Sequence, residues 1–388
     1  MKVKKFLKEN LVLLYCTRVT INKDISDKVI ELLKEKLNWR YILEKAKVHN
    51  IQALLYYNLK RINLKEILSC EVIMKLENLY KRYIIESLRY EKELNRILEK
   101  FYKNNLKVIL FKGYSLEKVY SNLIYLRGVG DIDLLVRKED MFKCEKMLDE
   151  LGYVLYYKEE INVSKIAEWL LWVLFRERKR KILLHPMYIH PQVKIPLEIH
   201  TTVFEGVLFQ KIEMKDIWEN AQFSQLGEVN TLILSPEDML LSLCPHLSIN
   251  HNFELKLIGD ITNIVTYYTI NWEYVVKKSY EYRIKNSMYF TFYFAERLLD
   301  APIPLKILDD LKPWRIKRIL FFKLFKDVEN FFDDKFLPKL LSKMGRDGIP
   351  IGASIFMAEN IRDVIRIFTL LVLFLINKVF KGGIKVVE

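Results

Sequence analysis

Apolar residues recur at i, i+3, i+4 and i+7 through most of the first hundred positions. "DKVIELLKEKL", "WRYILEKAKVHNIQALLYYNLKRI" and "EVIMKLENLYKRYIIESLRYEKELNRILEKFYKNN" all carry this spacing, so residues 26–104 are expected to be helical. The period then changes. "LKVILFKG" (106–113) is a short β-branched run ended by a glycine, and it reads as a buried strand. "SLEKVYSNL" predicts a brief helix with Ser115 as N-cap. "RGVGDIDLLV" (127–136) predicts a second strand, and "KEDMFKCEKMLDELGY" a helix closed by Gly152. "YVLYY" is a third strand candidate, and "VSKIAEWLLWVLFRE" a helix running into the basic "RERKRK" (176–181). Two apolar strands follow in "ILLHPMYI" and "KIPLEIHTTVF". From about residue 235 the helical spacing returns and persists to the end.

The predicted fold class is therefore α+β: a small mixed β-sheet core flanked by N-terminal and C-terminal α-helical regions. The expected divisions are 1–104 (helical), 105–206 (α/β core), 207–300 (helices packed on the core) and 301–388 (helical extension). Composition agrees. Gly and Pro number 22 of 388, about half the usual combined share of roughly 12%. With 63 Lys+Arg against 49 Asp+Glu the net charge is +14, which favours polyanionic company without identifying it. The four cysteines are scattered, with no CxxC and no histidine at ligand spacing, which argues against a zinc site and fits a reducing, cytoplasmic setting. The basic N-terminus precedes an apolar run of only six residues, with no small-residue cleavage site after it, so no signal peptide is expected. "IRIFTLLVLFLINKVF" (365–380) is too short an apolar run, between Arg366 and Lys378, for an integral membrane span. It predicts a buried helix, or alternatively one that docks a partner or a membrane surface.

The chemistry concentrates in two strands. An aspartate is a poor strand former and costly to bury unpaired, yet Asp131 and Asp133 stand two apart in an apolar run, where side chains share a face. Two carboxylates side by side call for a cation. "PLEIHTTV" repeats the anomaly with Glu198, and His200 lies on the same face as Glu198. "FKGYS" places Gly113 at a strand end leading into a helix, where backbone N–H groups can approach phosphate, with Lys112 adding charge.

This order of motifs resembles the DNA polymerase β-like nucleotidyltransferase superfamily. More closely, it is similar to the uncharacterised nucleotidyltransferase family. There the pattern runs LKG, then R-x-x-x-D-I-D-L-L-V, then a helix ending L-x-x-x-G-Y, then E-x-H. Here these read Phe111-Lys112-Gly113, Arg127 to Val136, Leu148 to Tyr153, and Glu198-Ile199-His200. "LSPEDMLLSLCPHLS", "LIGDITNIV" with "INWEYV", and "NWRYILEKAKVHNIQALLYYNLK" extend the likeness over roughly residues 38–300. The superfamily's usual Gly-Ser pair is Gly113-Tyr114-Ser115 here, displacing the serine by one.

The resemblance implies transfer of a nucleoside monophosphate from an NTP such as ATP, with release of pyrophosphate. Asp131, Asp133 and Glu198 would be the catalytic carboxylates and the ligands of Mg²⁺ or Mn²⁺. Lys112, Gly113, Tyr114, Ser115 and Arg127 would bind the nucleotide, with His200 supporting the ligands from behind. The acceptor is open: a small molecule, a protein or an RNA. A toxin-like role with an antitoxin or other protein partner is a subsidiary expectation. The alternative is a catalytically degenerate nucleotide- or RNA-binding protein. Simpler readings stand beside these. Arg127 would only brace the carboxylates, Lys112 would be a solvated strand end, and His185 and His190 would be turn features. His246 and Asp260 would join two helices by a buried hydrogen bond.

Overall fold

The computed structural model describes residues 6–62, 68–121, 123–157, 160–162, 181–183, 186–203, 214–226, 229–249, 254–324 and 331–332. The expected helix at 163–177, His185, nearly all of the basic run at 176–181 and the apolar helix at 365–380 lie outside the described residues.

Five helices lead: α1 (Lys8–Tyr15), α2 (Lys23–Leu33), α3 (Trp39–Val48), α4 (Gln52–Arg61) and α5 (Cys70–Lys103). The spacing predicts one helix through 39–62, and the chain breaks it at Asn50. That residue adopts a left-handed φ of 53°, while the Ile51 N–H turns back to Ala46 O at 3.0 Å. Asparagine tolerates this region better than most residues, so the break is cheap here.

The strands are β1 (Ile109–Phe111), β2 (Ile132–Leu135), β3 (Val154–Tyr157), β4 (Glu160–Asn162), β5 (Lys181–Leu183), β6 (Met187–Ile189), β7 (Pro196–His200), β8 (Gln222–Leu226) and β9 (Val229–Ile233). Seven form one mixed sheet in the order β3-β6-β7-β2-β1-β9-β8, and β4 pairs with β5 separately. β2 runs parallel to β7 and antiparallel to β1, and β9 lies parallel to β1. The helices that follow β2 are α6 (Met141–Glu150), α7 (Lys215–Asn220), α8 (Pro236–Ile249), α9 (Leu255–Tyr267), α10 (Trp272–Glu281), α11 (Lys285–Leu299), α12 (Leu305–Asp310) and α13 (Arg315–Leu324). The α+β class is as predicted, with a mixed sheet flanked by helices. Among the described residues no helix is long and apolar enough to cross a membrane.

Two local expectations change. The sheet takes two strands beyond residue 206, because β8 and β9 add to its edge. β8 is mostly polar, its Phe223 is 86% exposed and only Leu226 is buried, so it lacks the apolar alternation by which a strand is recognised. The segment "SLEKVYSNL" forms two short 3₁₀ turns, Gly113–Leu116 and Lys118–Tyr120, rather than a capped α-helix. All four residues of the first turn are buried, so there is no polar face to orient a regular amphipathic helix.

Packing around the central strands is dry. Ile132, Leu134, Leu197 and Ile199 are all essentially inaccessible and belong to one continuous core that also includes residues of α5, α8, α9 and α11. The alternate residues of β2 and β7 carry the acids.

Candidate active site

The parallel pairing of β2 and β7 sets the central relationship. Asp133 is opposite Glu198 and Leu135 opposite His200, while antiparallel β1 brings Phe111 opposite Asp133 on the other side. Glu198 and His200, two apart on one strand, project to the same face. Their carboxylate and imidazole join the Asp133 carboxylate in a group whose ligand atoms all lie within 4.8 Å of one another.

Hydrogen bonds fix the trio. His200 Nε2 donates to Asp133 Oδ1 at 2.8 Å and stands 3.5 Å from Glu198 Oε2. Lys112 Nζ donates to the same Asp133 oxygen at 3.1 Å. The Phe111 ring meets the His200 ring edge-on at 5.0 Å, which fixes the imidazole plane. Burial alone would raise the Asp133 pKa, but the Lys112 ammonium and the His200 hydrogen bond overcome it and hold the group below the ordinary carboxylate value.

Asp131 precedes β2 and stands outside this trio, though close enough to feel it. Its pKa is pushed up to about 6, first by burial and then by the Asp133 and Glu198 charges, with Lys112 and Arg127 opposing. Three acids thus crowd one place, one kept ionised by its neighbours and one penalised by them. Such a donor set suits a hard divalent cation that prefers carboxylate oxygen.

The turn after β1 is strained. Lys112 adopts φ 50° and ψ −121°, a conformation that costs a side-chain-bearing residue about 1–3 kcal/mol. Its carbonyl is held by the Ser115 N–H at 3.0 Å and the Ser115 hydroxyl at 2.5 Å. Ser115 is buried, and its hydroxyl hydrogen is turned inward to that carbonyl. Tyr114 is buried too and donates to Ser87 O in α5 at 3.1 Å. At Gly113 a Cβ would come within 3.1 Å of Val129 and 3.6 Å of Arg127 Nη1, so the two loops touch there.

Arg127 lies under that contact. Its Nε donates to both Asp260 oxygens at 3.0 Å and its Nη2 to Oδ2 at 2.9 Å. Tyr120 adds a third donor to Asp260 Oδ1 at 2.7 Å. Burial works against the Arg127 charge, yet Asp260 more than compensates and its pKa is raised. Asp260 therefore ties α9 to the Arg127 loop and to the 3₁₀ segment, a different partnership from the helix–helix bond expected with His246. Tyr120 had no signal in the sequence beyond an apolar position in a misread helix. His190 is a turn feature as expected, its Nδ1 accepting from Gln192 N and Val193 N at 3.2 Å each.

Acids from two parallel neighbours, a strained lysine–glycine turn at the end of β1 and an arginine locked on Asp260 thus lie together in one part of the fold. The family profile of uncharacterised nucleotidyltransferases matches residues 35–300, which is most of the chain. The chain belongs to that family. No curated protein matches the sequence significantly.

Proposed function

We propose that this protein transfers a nucleoside monophosphate from an NTP to an acceptor hydroxyl. The acceptor hydroxyl gives up its proton to solvent as its oxygen bonds to the α-phosphorus, the bond from that phosphorus to the α,β-bridging oxygen breaks, and pyrophosphate leaves with that oxygen. The observation that carries the reading is the register of β2 on β7, which puts Glu198 directly opposite Asp133 with His200 on the same face. Chain segments more than 60 residues apart here share one polar spot beside the buried apolar residues of β2 and β7.

Asp133 and Glu198, with Asp131 beside them, would hold Mg²⁺ or Mn²⁺. A bound cation of this kind neutralises charge on phosphate oxygens and lowers the pKa of a hydroxyl. The protein's own contribution is orientation. His200 holds Asp133 by its Nε2 hydrogen bond, and Lys112 keeps the same carboxylate ionised. The Gly113 turn offers backbone N–H groups to the triphosphate, and Arg127, closed on Asp260, positions that turn.

A second reading, nucleotide binding without transfer, is favoured by one observation. Ser115 gives its hydroxyl to Lys112 O instead of presenting it to a ligand. Incubation with Mg²⁺ or Mn²⁺, each of the four α-³²P-labelled NTPs and a cell extract separates the two. Transfer of label to an acceptor by the wild type and not by Asp133→Ala supports the transferase. Binding of NTP with no pyrophosphate released supports the second reading.

A further inference from the structure

α9 is pinned at two points. At its start the Lys256 N–H donates to His49 O at 3.2 Å, and Glu254, just before the helix, accepts from Asn50 Nδ2 at 2.8 Å. One turn on, Asp260 is held by Arg127 and Tyr120. Residues four apart lie on one helix face, so Lys256 and Asp260 project to the same side. That side faces the Arg127 loop, and the Lys256 ammonium lies within charge-interaction range of both Arg127 and Asp131.

Among the described residues no carboxylate comes within 4.0 Å of Lys256 Nζ and no hydrogen bond ties it down. Asp260, one helical turn away, is already committed to Arg127 and Tyr120. Burial, reinforced by the Arg127 charge, lowers the Lys256 pKa from the ordinary 10.5, against the pull of Asp260, Glu254 and Asp131. A structural lysine at such a place would be expected to take an ion pair. Lys256 is instead a desolvated ammonium with no close counter-ion among the described residues, and an incoming anion would supply one.

The position selects the anion. Arg127 Nη1 lies 3.6 Å from the Cβ position of Gly113, whose turn would meet a phosphate tail, and Lys256 shares a helix face with the Asp260 that holds Arg127. Arg127 has turned Nε and Nη2 to Asp260 and supplies less charge to that tail than its sequence position suggests. We propose that Lys256 receives the β- and γ-phosphate oxygens of the bound nucleoside triphosphate, making α9 part of the nucleotide site. This rests on the transferase reading above.

The test is equilibrium binding of each of the four α,β-methylene NTPs with Mg²⁺, and of the matching NMPs, to wild type, Lys256→Met and Lys256→Arg. Methionine keeps the apolar stem, and circular dichroism of each variant reports folding. Removing a hydrogen bond to a charged group is expected to weaken triphosphate binding about 10- to 100-fold in Lys256→Met. Monophosphate binding should not change, and Lys256→Arg should recover most of the triphosphate affinity. Equal triphosphate affinity in wild type and Lys256→Met overturns the Lys256 assignment alone, as does a parallel loss of mono- and triphosphate binding. A wild type that binds no triphosphate overturns the transferase reading and this assignment together.

Discussion

Arg127 and Asp260, separated by 133 residues in the chain, form a buried two-point ion pair with side chains 7% and 1% exposed. It joins the loop ahead of β2 to helix α9. Removing one partner of such a pair leaves the other charge unpaired in a dry setting. Asp260→Leu or Arg127→Met alone should each cost about 3–5 kcal/mol in urea unfolding. The double variant should lose clearly less than the sum of the two. Additive losses would mean that the pair is not coupled in solution.

His200 donates to Asp133 from behind the acids. Loss of such a supporting hydrogen bond typically weakens metal binding about 10- to 100-fold, and His200→Ala should do so for Mn²⁺ measured by calorimetry. Asp133→Asn should weaken it further. Mn²⁺ binding that ignores both substitutions would separate this trio of side chains from any cation.

Asp131 makes the metal-free protein sensitive to pH. Its pKa rises on folding from the ordinary 3.8 to about 6, so the folded state holds the proton more tightly than the unfolded one. Stability is therefore unpenalised below about pH 4, falls as pH rises through 6, and stays reduced above it. An amide escapes this penalty. Metal-free Asp131→Asn should exceed wild type by roughly 1–3 kcal/mol near pH 8. The advantage should vanish toward pH 4, as read from urea midpoints across the range. A constant advantage at every pH would assign the effect to something other than ionisation.

Two glycines two residues apart should respond differently to alanine. Gly128 has φ +68°, and a Cβ there would lie 2.5 Å from the Tyr83 ring, whereas a Cβ on Gly130 meets nothing within 4 Å. Gly128→Ala should lower stability by about 1–3 kcal/mol, while Gly130→Ala stays near neutral. Tyr83 donates to Gln52 Oε1 at 2.8 Å, so its ring is not free to swing aside. Thermal unfolding in which both variants behave alike would contradict the packing of α5 on this loop.

Much of the site could be read before any coordinates. Asp131, Asp133 and Glu198 stand out because an acid inside an apolar strand run is a local anomaly, and the structure brings Asp133 and Glu198 face to face. Gly113 and Lys112 were visible as a strand end because a glycine closes the short β-branched run before them. The strain at Lys112 was not, since a left-handed lysine leaves no mark on composition or period. Nor was the pairing of Asp260 with Arg127 and Tyr120, because the sequence pattern places Asp260 on a buried helix face and pointed to His246 as its partner. β8 escaped because its exposed, polar residues break the apolar alternation on which strand recognition depends.

The amino-acid order by itself determined the helices with a 3.6-residue apolar period, the short apolar strands, and the candidate carboxylates that interrupt them. These are properties of neighbours in the chain, where burial on one face imposes a repeat. Tertiary structure decided which groups meet: β7 beside β2, His200 behind Asp133, Arg127 closed on Asp260, and Lys256 on the helix face that Asp260 shares. Pairings across long loops follow from packing and charge compensation in three dimensions, and neither leaves a periodic trace along the chain.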